Sequence, residues 1–415
     1  MQRIKDLIYD WNAEVINFRP NKPVELNDET LRDGLQSPSV ADPSVGEKLE
    51  LMHLMEDLGI QGVNLGLPGA GGRPREDIGR LAKEIAGGMK INPNVACRTL
   101  IRDIEPVVEL TQRAGIPIEV STFIGSSSIR QYAEDWSVDK LLEHTEKALT
   151  FCRDNDLPVM YVTEDTSRAQ PDTIRRLYTL ALELGAKRLC VCDTAGYATP
   201  SGTTSLIRFV SDLAHQFDPE VNIDWHGHRD RGLGLANCLA AIKAGADRVH
   251  ATALGIGERA GNAEMDQLLV NLRLLGWIDN DISQLSAYVH KAAQAVGVKI
   301  SASYPIFGQD AFETGTGVHA AAVIKAYRKG NDELADSVYS GVPAGMVGLR
   351  QSIRVGPMSG KSNVDWVLRQ MGIEPSAETV NLVLAAGKAS KKLLTNAEIR
   401  AVVGLAPEST SPDVV

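Results

Sequence analysis

Apolar positions along this chain fall into short β-rich runs, separated by stretches in which they recur every three or four residues. The runs lie at 24–27, 62–65, 94–97, 116–122, 158–163, 188–192, 222–225 and 248–253. Between them, stretches such as 45–58, 138–154 and 171–185 carry apolar residues at helical spacing. Eight strand-helix repeats predict an α/β fold, a closed (β/α)8 TIM barrel of about 250 residues, rather than an open doubly wound sheet. The open sheet normally has fewer strands and a phosphate fingerprint after the first, and no G-x-G-x-x-G follows the first run here.

Beyond residue 281 the pattern becomes mostly helical, interrupted by a loop at 301–317 that is dense in Gly, Phe and polar residues. The domain layout that follows is an N-terminal extension (1–22), a catalytic barrel (23–280), a helical subdomain carrying His319 (281–340) and a small C-terminal subdomain (341–415). No separate regulatory domain is expected, and the tail at 408–415 is expected to be disordered. The segment Gly356-Pro357-Met358-Ser359-Gly360-Lys361-Ser362 superficially suits a phosphate loop. Its glycines are one residue too close, and no clear strand leads into it.

Composition narrows the classes of function. With 53 Asp and Glu against 43 Lys and Arg, the net charge is -10, and no basic stripe for nucleic acid survives that excess. The first fifteen residues lack the uninterrupted apolar core of a secretion signal. No stretch approaches the roughly 20 apolar residues of a membrane helix. Five cysteines, an odd number without metal-finger spacing, point to reduced thiols in a cytoplasmic protein. Cys190 and Cys192 alternate on one strand and read as small core residues.

Chemistry-bearing residues gather just after the strands, where a parallel barrel places its site. Those positions hold residues 27–34, then 64–68, Arg98, Ser121-Thr122, 164–168, Asp193-Thr194, His226-Gly227-His228 and 255–262. Asp165 and Thr194 also suit helix caps. His226 and His228 stand two apart at a strand end, so their rings leave the same face, and two converging imidazoles are half of a metal site.

Five of these motifs carry a family resemblance. Leu31-Arg32-Asp33-Gly34-Leu35-Gln36, Glu164-Asp165-Thr166-Ser167-Arg168, Asp193-Thr194-Ala195-Gly196, His226-Gly227-His228 and the glycine-rich 255–262 resemble, in order and spacing, the metal-dependent barrel enzymes that include isopropylmalate, homocitrate and citramalate synthases and hydroxymethylglutaryl-CoA lyase. The resemblance implies that Asp33, His226, His228 and Asn262 surround one divalent metal ion (Mg, Mn or Zn) able to bind a chelating 2-oxo acid. It implies that Arg32 stabilises a developing alkoxide, that Glu164 and His319 form an acid/base pair, and that acetyl-CoA is the co-substrate. Substrate contacts are expected from Arg32, Asn64, Arg98, Thr194 and Tyr339. In the synthases the His319 segment reaches over the partner's barrel, so a homodimer with shared sites is implied; neither nucleic acid nor a membrane is an expected partner.

The expected activity is condensation of an acyl-CoA with a 2-oxo acid to a 2-hydroxy-2-carboxyalkyl acid and CoA, in the manner of 2-isopropylmalate synthase. The alternatives are a homocitrate-, citramalate- or citrate-forming synthase, and a metal-dependent lyase, which the Arg-Asp-Gly-Leu-Gln wording favours. A catalytically silent scaffold subunit is a third reading. Three positions depart from the family pattern: Asn64 replaces a glutamate, which predicts a lost negative charge near Arg32; Arg229 replaces an asparagine; and Thr314 replaces a second histidine.

Overall fold

The computed structural model describes residues 4–12 and 17–406. The expected disorder at 408–415 lies outside the described residues. Eight parallel strands close into a barrel in sequence order: β1 (Glu25–Asp28), β2 (Gly62–Asn64), β3 (Asn92–Arg98), β4 (Glu119–Gly125), β5 (Val159–Glu164), β6 (Arg188–Asp193), β7 (Asn222–Gly227) and β8 (Arg248–Ala251). The ring is sealed by β1 against β8, with Leu26 opposite Val249 and Asp28 opposite Ala251. All eight apolar runs of the sequence are strands. Several boundaries differ: β4 starts at Glu119, not 116, and β8 stops at Ala251, because Ala253–Gly255 turns into a short 3-10 helix.

Eight main helices follow the strands and cover the barrel, with a shorter helix (Ser128–Glu134) ahead of the fourth: α1 (Val45–Asp57), α2 (Gly72–Ala86), α3 (Ile101–Ala114), α4 (Val138–Asp154), α5 (Pro171–Glu183), α6 (Pro200–Phe217), α7 (Gly234–Ala244) and α8 (Met265–Leu274). A further helix, α9 (Leu285–Val296), packs beside α1. Local chemistry marks their ends. Ser44 and Glu47 form a capping box at the start of α1, Pro200 begins α6 behind the Thr199 cap, and Gly115 closes α3 in the left-handed conformation. Their inner faces bury residues such as Leu51, Leu81, Val107, Leu149, Leu177, Ile207 and Leu268 against the strands.

The barrel interior is unusually ionic. Arg248 on β8 reaches Asp224 on β7 (2.6 Å) and Glu119 on β4 (3.0 Å), and Arg188 on β6 reaches Asp224 (2.7 Å) and Glu25 on β1 (3.0 Å). Contacts between strands that are not neighbours in the ring, such as β8 and β4, can only run through the lumen. Layers of branched apolar side chains are the ordinary filling of such a barrel. Here a paired charge network replaces part of them.

By its contacts the chain divides into two compact units, Trp11–Lys299 and Met1–Asp10 with Ile300–Val415. The first holds the barrel. In the second, β9 (Glu313–Thr314) pairs in parallel with β10 (Ser352–Ile353). Helices α10 (Gly317–Arg328), α11 (Asp332–Ser337), α12 (Lys361–Gln370), α13 (Ala377–Ala389) and α14 (Asn396–Val402) surround a core that includes Val323, Ile324, Val364, Leu368, Val383 and Ile399. The turn at 356–362 is a latch. Ser359 Oγ donates to the Gly315 carbonyl (2.6 Å) and accepts from Gly356 N–H (2.8 Å), while Asn363 Nδ2 donates to the carbonyls of Gly315 and Arg354. These bonds give Ser359, within the segment that imitates a phosphate loop, a structural role. Among the described residues, no helix is long and apolar enough to cross a membrane.

Candidate active site

The turn after β1 is wound by the backbone N–H groups of Arg32 and Gly34, both donating to the Glu29 carbonyl. It presents Arg32 and Asp33 at the carboxyl end of the barrel, against β7 and the loop after β8. Asp33 Oδ2 lies 3.5 Å from His226 Nε2 and 3.6 Å from His228 Nε2. Asp33 Oδ1 accepts from Asn262 Nδ2 at 2.9 Å. His226 is the penultimate residue of β7, and His228 bridges to Asn262, so strand pairing itself aims the two rings and the carboxamide at one carboxylate.

This donor set fits a divalent cation. One ligand atom each from Asp33, His226 and His228 lies within 4.8 Å of the others, and all three residues are buried. Burial keeps both imidazoles neutral, pushing His226 down to about 3 and His228 below its ordinary value. Burial opposes ionisation of Asp33, but the Arg32 guanidinium beside it overcomes that and holds the carboxyl below the usual range. Neutral imidazoles and an ionised carboxylate are the protonation states a metal requires. Asn262 Oδ1 and His228 Nδ1 are buried without a hydrogen-bond partner among the described residues, an arrangement that a site still open to a ligand tolerates.

The loop at 255–262 packs closely against this carboxylate. Gly257 has φ +154°, and a Cβ there would collide with Asn262 Nδ2 and sit 2.8 Å from Asp33 Oδ1. Gly261 has φ +98°, and its Cβ would collide with the Gly255 carbonyl oxygen. Only glycine lets the backbone run this close to the carboxylate. Arg229 braces the same loop: its Nε donates to the Ala260 carbonyl (2.8 Å), its guanidinium pairs with Glu264, and its N–H donates to the Gly261 carbonyl. The departure at 229 is thus a scaffold for the loop that carries Asn262.

Glu164 closes β5, half-buried, and burial raises its carboxyl above the ordinary glutamate value while Arg130 opposes the shift. Its charge is felt by Arg32. Arg32 itself is mostly buried, with Nη1 3.0 Å from Asp33 Oδ2.

Other predicted residues are engaged differently. Arg98 is exposed and grips Asp103 through two hydrogen bonds of 2.6 and 2.9 Å. Thr194 Oγ1 accepts the backbone N–H of Asp165 (2.9 Å), joining the loops after β5 and β6. Asp165 stands at the N-cap position of the short 3-10 helix Thr166–Arg168 but its side chain makes no capping bond, and Thr194 Oγ1 is spent on the neighbouring loop. Asp165 takes φ +57°, and its carboxylate binds Arg168 and Ser127 instead. His319 and Tyr339 belong to the other unit, where their exposed rings stack with centroids 4.1 Å apart.

Two residues to which the sequence reading assigns no role, Glu29 and His250, lie under the site. Glu29 Oε2 accepts from Arg32 Nε at 2.7 Å and also from Nη2, and Glu29 Oε1 faces His250 Nδ1 at 3.1 Å. Asn64 Nδ2 points at the same oxygen at 3.5 Å. The expected loss of negative charge near Arg32 is therefore not found: the carboxylate comes from β1's turn instead of β2. The signal in the sequence was alternation, with polar Glu25, Asn27 and Glu29 on one face of β1 and Arg248 and His250 on one face of β8. The cysteines agree with their reading: all five are free and buried, with Cys190 Sγ 3.8 Å from Cys192 Sγ.

Comparison with known proteins follows the same lines. Residues 23–296 match the family described as HMGL-like. The chain is 30% identical over 371 residues to the homocitrate synthase AksA of Methanopyrus kandleri, covering 88% of this chain and 87% of that one. It is 30% identical to a probable 2-isopropylmalate synthase of the same organism (93% and 75% covered) and 31% identical to a putative (R)-citramalate synthase CimA of Methanoculleus marisnigri (92% and 72%). Among solved structures, HMG-CoA lyases from Brucella melitensis (TM-score 0.53, 16% identity, 66% of this chain and 98% of that one) and Pseudomonas aeruginosa (0.53, 20%, 66% and 93%) share the fold.

Proposed function

The chain belongs to the HMGL-like family, with condensing synthases among its relatives, and from that membership we propose that it condenses an acyl-CoA, acetyl-CoA foremost, with a 2-oxo acid. Water then cleaves the thioester, giving a 2-hydroxy-2-carboxyalkyl acid and CoA, with 2-isopropylmalate as the model product. The observation that carries the reading is the convergence of Asp33, His226 and His228 on one point beside the Arg32 guanidinium, with Asn262 hydrogen-bonded to Asp33, at the carboxyl ends of the strands.

Asp33, His226, His228 and Asn262 would hold a divalent cation (Mg, Mn or Zn), whose chemistry when bound is to polarise the ketone of a chelating oxo acid. Arg32 places a fixed, mostly buried positive charge where that ketone oxygen gains negative charge. Glu164, its carboxyl raised by burial, is suited to accept a proton from the thioester methyl group near neutral pH. His319 completes the acid/base pair, and Tyr339, stacked on it, orients the ring. Arg98, Thr194 and Asn64 are assigned to the substrate pocket; Asn64 acts there through Glu29. His319 lies outside the barrel unit, and the reading takes it to act on a partner's site in a homodimer.

Thiol release from acetyl-CoA tests the reaction. Release that requires both a divalent metal and an oxo acid supports condensation, whereas a lyase forms a new thioester or carbonyl from a hydroxyacyl substrate. The same assay with H319A, compared with the metal content of that variant, separates chemistry from metal binding.

A further inference from the structure

Beneath the site, the lumen holds a column of paired groups that no step of the reaction uses directly. Glu29 Oε2 clamps Arg32 along its Nε–Nη2 edge, and Glu29 Oε1 accepts from Asn27 Nδ2 at 2.9 Å and lies 3.5 Å from Asn64 Nδ2. Both ring nitrogens of His250 face carboxylates: Nδ1 faces Glu29 Oε1 at 3.1 Å and Nε2 faces Asp224 Oδ2 at 2.8 Å. Asp224 in turn is held by Arg188 and Arg248. Glu29, His226 and His250 could in principle bind a second cation, since their ligand atoms also lie within 4.8 Å of one another. The pairings argue against it, because Glu29 is saturated with donors and a cation there would face Arg32.

We propose that Glu29, backed by His250 and Asp224, is the positioning residue that fixes the Arg32 guanidinium for the reaction. This rests on the role given above to Arg32. A free arginine side chain has several soft torsions, and a guanidinium that stabilises developing charge must already be in place when the charge appears. Glu29 holds one edge, Asp33 Oδ2 meets Nη1, and the remaining N–H directions are left for a ligand. His250 passes the restraint to Asp224 and its two arginines, so the clamp is anchored in the rigid barrel and not in the loop. Glu29 touches no reacting atom. Its effect is on where Arg32 stands.

The test uses the whole chain loaded with metal, and the oxo acid on which the wild type releases CoA. E29Q should retain one metal per chain and the wild-type KM for acetyl-CoA, while kcat falls about 10²-fold, the scale of one lost oxyanion-stabilising donor. Because Asn64 Nδ2 lies 3.5 Å from Glu29 Oε1, the double variant E29A/N64E empties position 29 and brings a carboxylate toward Arg32 from β2, and its kcat should exceed that of E29A at least tenfold. H250Q, which leaves the Glu29–Arg32 pair intact, should lose kcat by a smaller factor of about ten with KM for acetyl-CoA unchanged. Wild-type kcat in E29Q, a loss that tracks loss of metal, or no recovery in the double variant would overturn the proposal. If E29Q does not fold, wild-type kcat in H250Q overturns it. A wild type that releases no CoA with any oxo acid defeats the reading of the reaction instead, so the two failures are distinguishable.

Discussion

At the scale of single residues, the proposed function gives Asp33, His226, His228 and Asn262 to a metal and Glu164 and His319 to proton transfer. Asp33→Ala or His226→Ala removes one of the four proposed ligands, and both variants should lose bound metal and turnover together, read by metal analysis and CoA release. Glu164→Gln should keep the metal and lose about 10² to 10⁴-fold in turnover, the usual scale for a general base. The pH dependence carries a sign. Glu164 acts as a base only when ionised, and burial raises its carboxyl, so kcat/KM should rise with pH along an acid limb lying above the ordinary glutamate value. A limb at the ordinary value, or one unchanged in Glu164→Gln, contradicts the assignment. Arg32-Asp33, Glu164 and the His226–His228 pair were legible as candidates because they stand at strand ends in recognisable motifs. Glu29 and His250 were not, because alternation puts each on a polar strand face but does not say what that face meets until the barrel closes and Arg32, Asp224 and Arg248 arrive from elsewhere in the chain.

At the scale of elements, the loop at 255–262 and the lumen network are the parts most exposed to test. Arg229→Ala removes the brace on the Ala260 carbonyl and on Glu264, and metal affinity should weaken by about 10- to 100-fold, as for lost supporting contacts in other metal sites. Titration with the metal, followed by competition with a chelator, reads this directly, and unchanged affinity would show that the loop stands without Arg229. Arg248→Met leaves Asp224 buried with one fewer cation, a change that costs about 3 to 5 kcal/mol when a buried pair is broken. Denaturant unfolding measures it. The strands were legible as apolar runs bounded by turn residues, and their order gave the barrel. Their ends were less so: β3 begins at Asn92-Pro93, polar and turn-forming by composition, yet pairs with β2 through Asn92 opposite Gly62. Ladder pairing, a non-local property, decided that boundary over local propensity.

At the scale of the whole molecule, the barrel unit carries the proposed metal ligands, Arg32 and Glu164, while His319 and Tyr339 sit in the second unit. If sites are shared between subunits, inactive Asp33→Ala and inactive His319→Ala should regain activity when mixed and allowed to exchange, since a hybrid dimer contains one intact site. Absence of recovery in a mixture shown by mass to contain hybrids would place each site within one chain. The central claim is the metal-dependent condensation itself. Its most direct measurement is thiol release from acetyl-CoA by the full chain, with Mg, Mn or Zn, across pyruvate, oxaloacetate, 2-oxoisovalerate and 2-oxoglutarate. The account predicts release that needs both the metal and one oxo acid of the panel, abolished in Asp33→Ala. Release independent of metal, or silence with all four acids alongside cleavage of a hydroxyacyl-CoA, would contradict it.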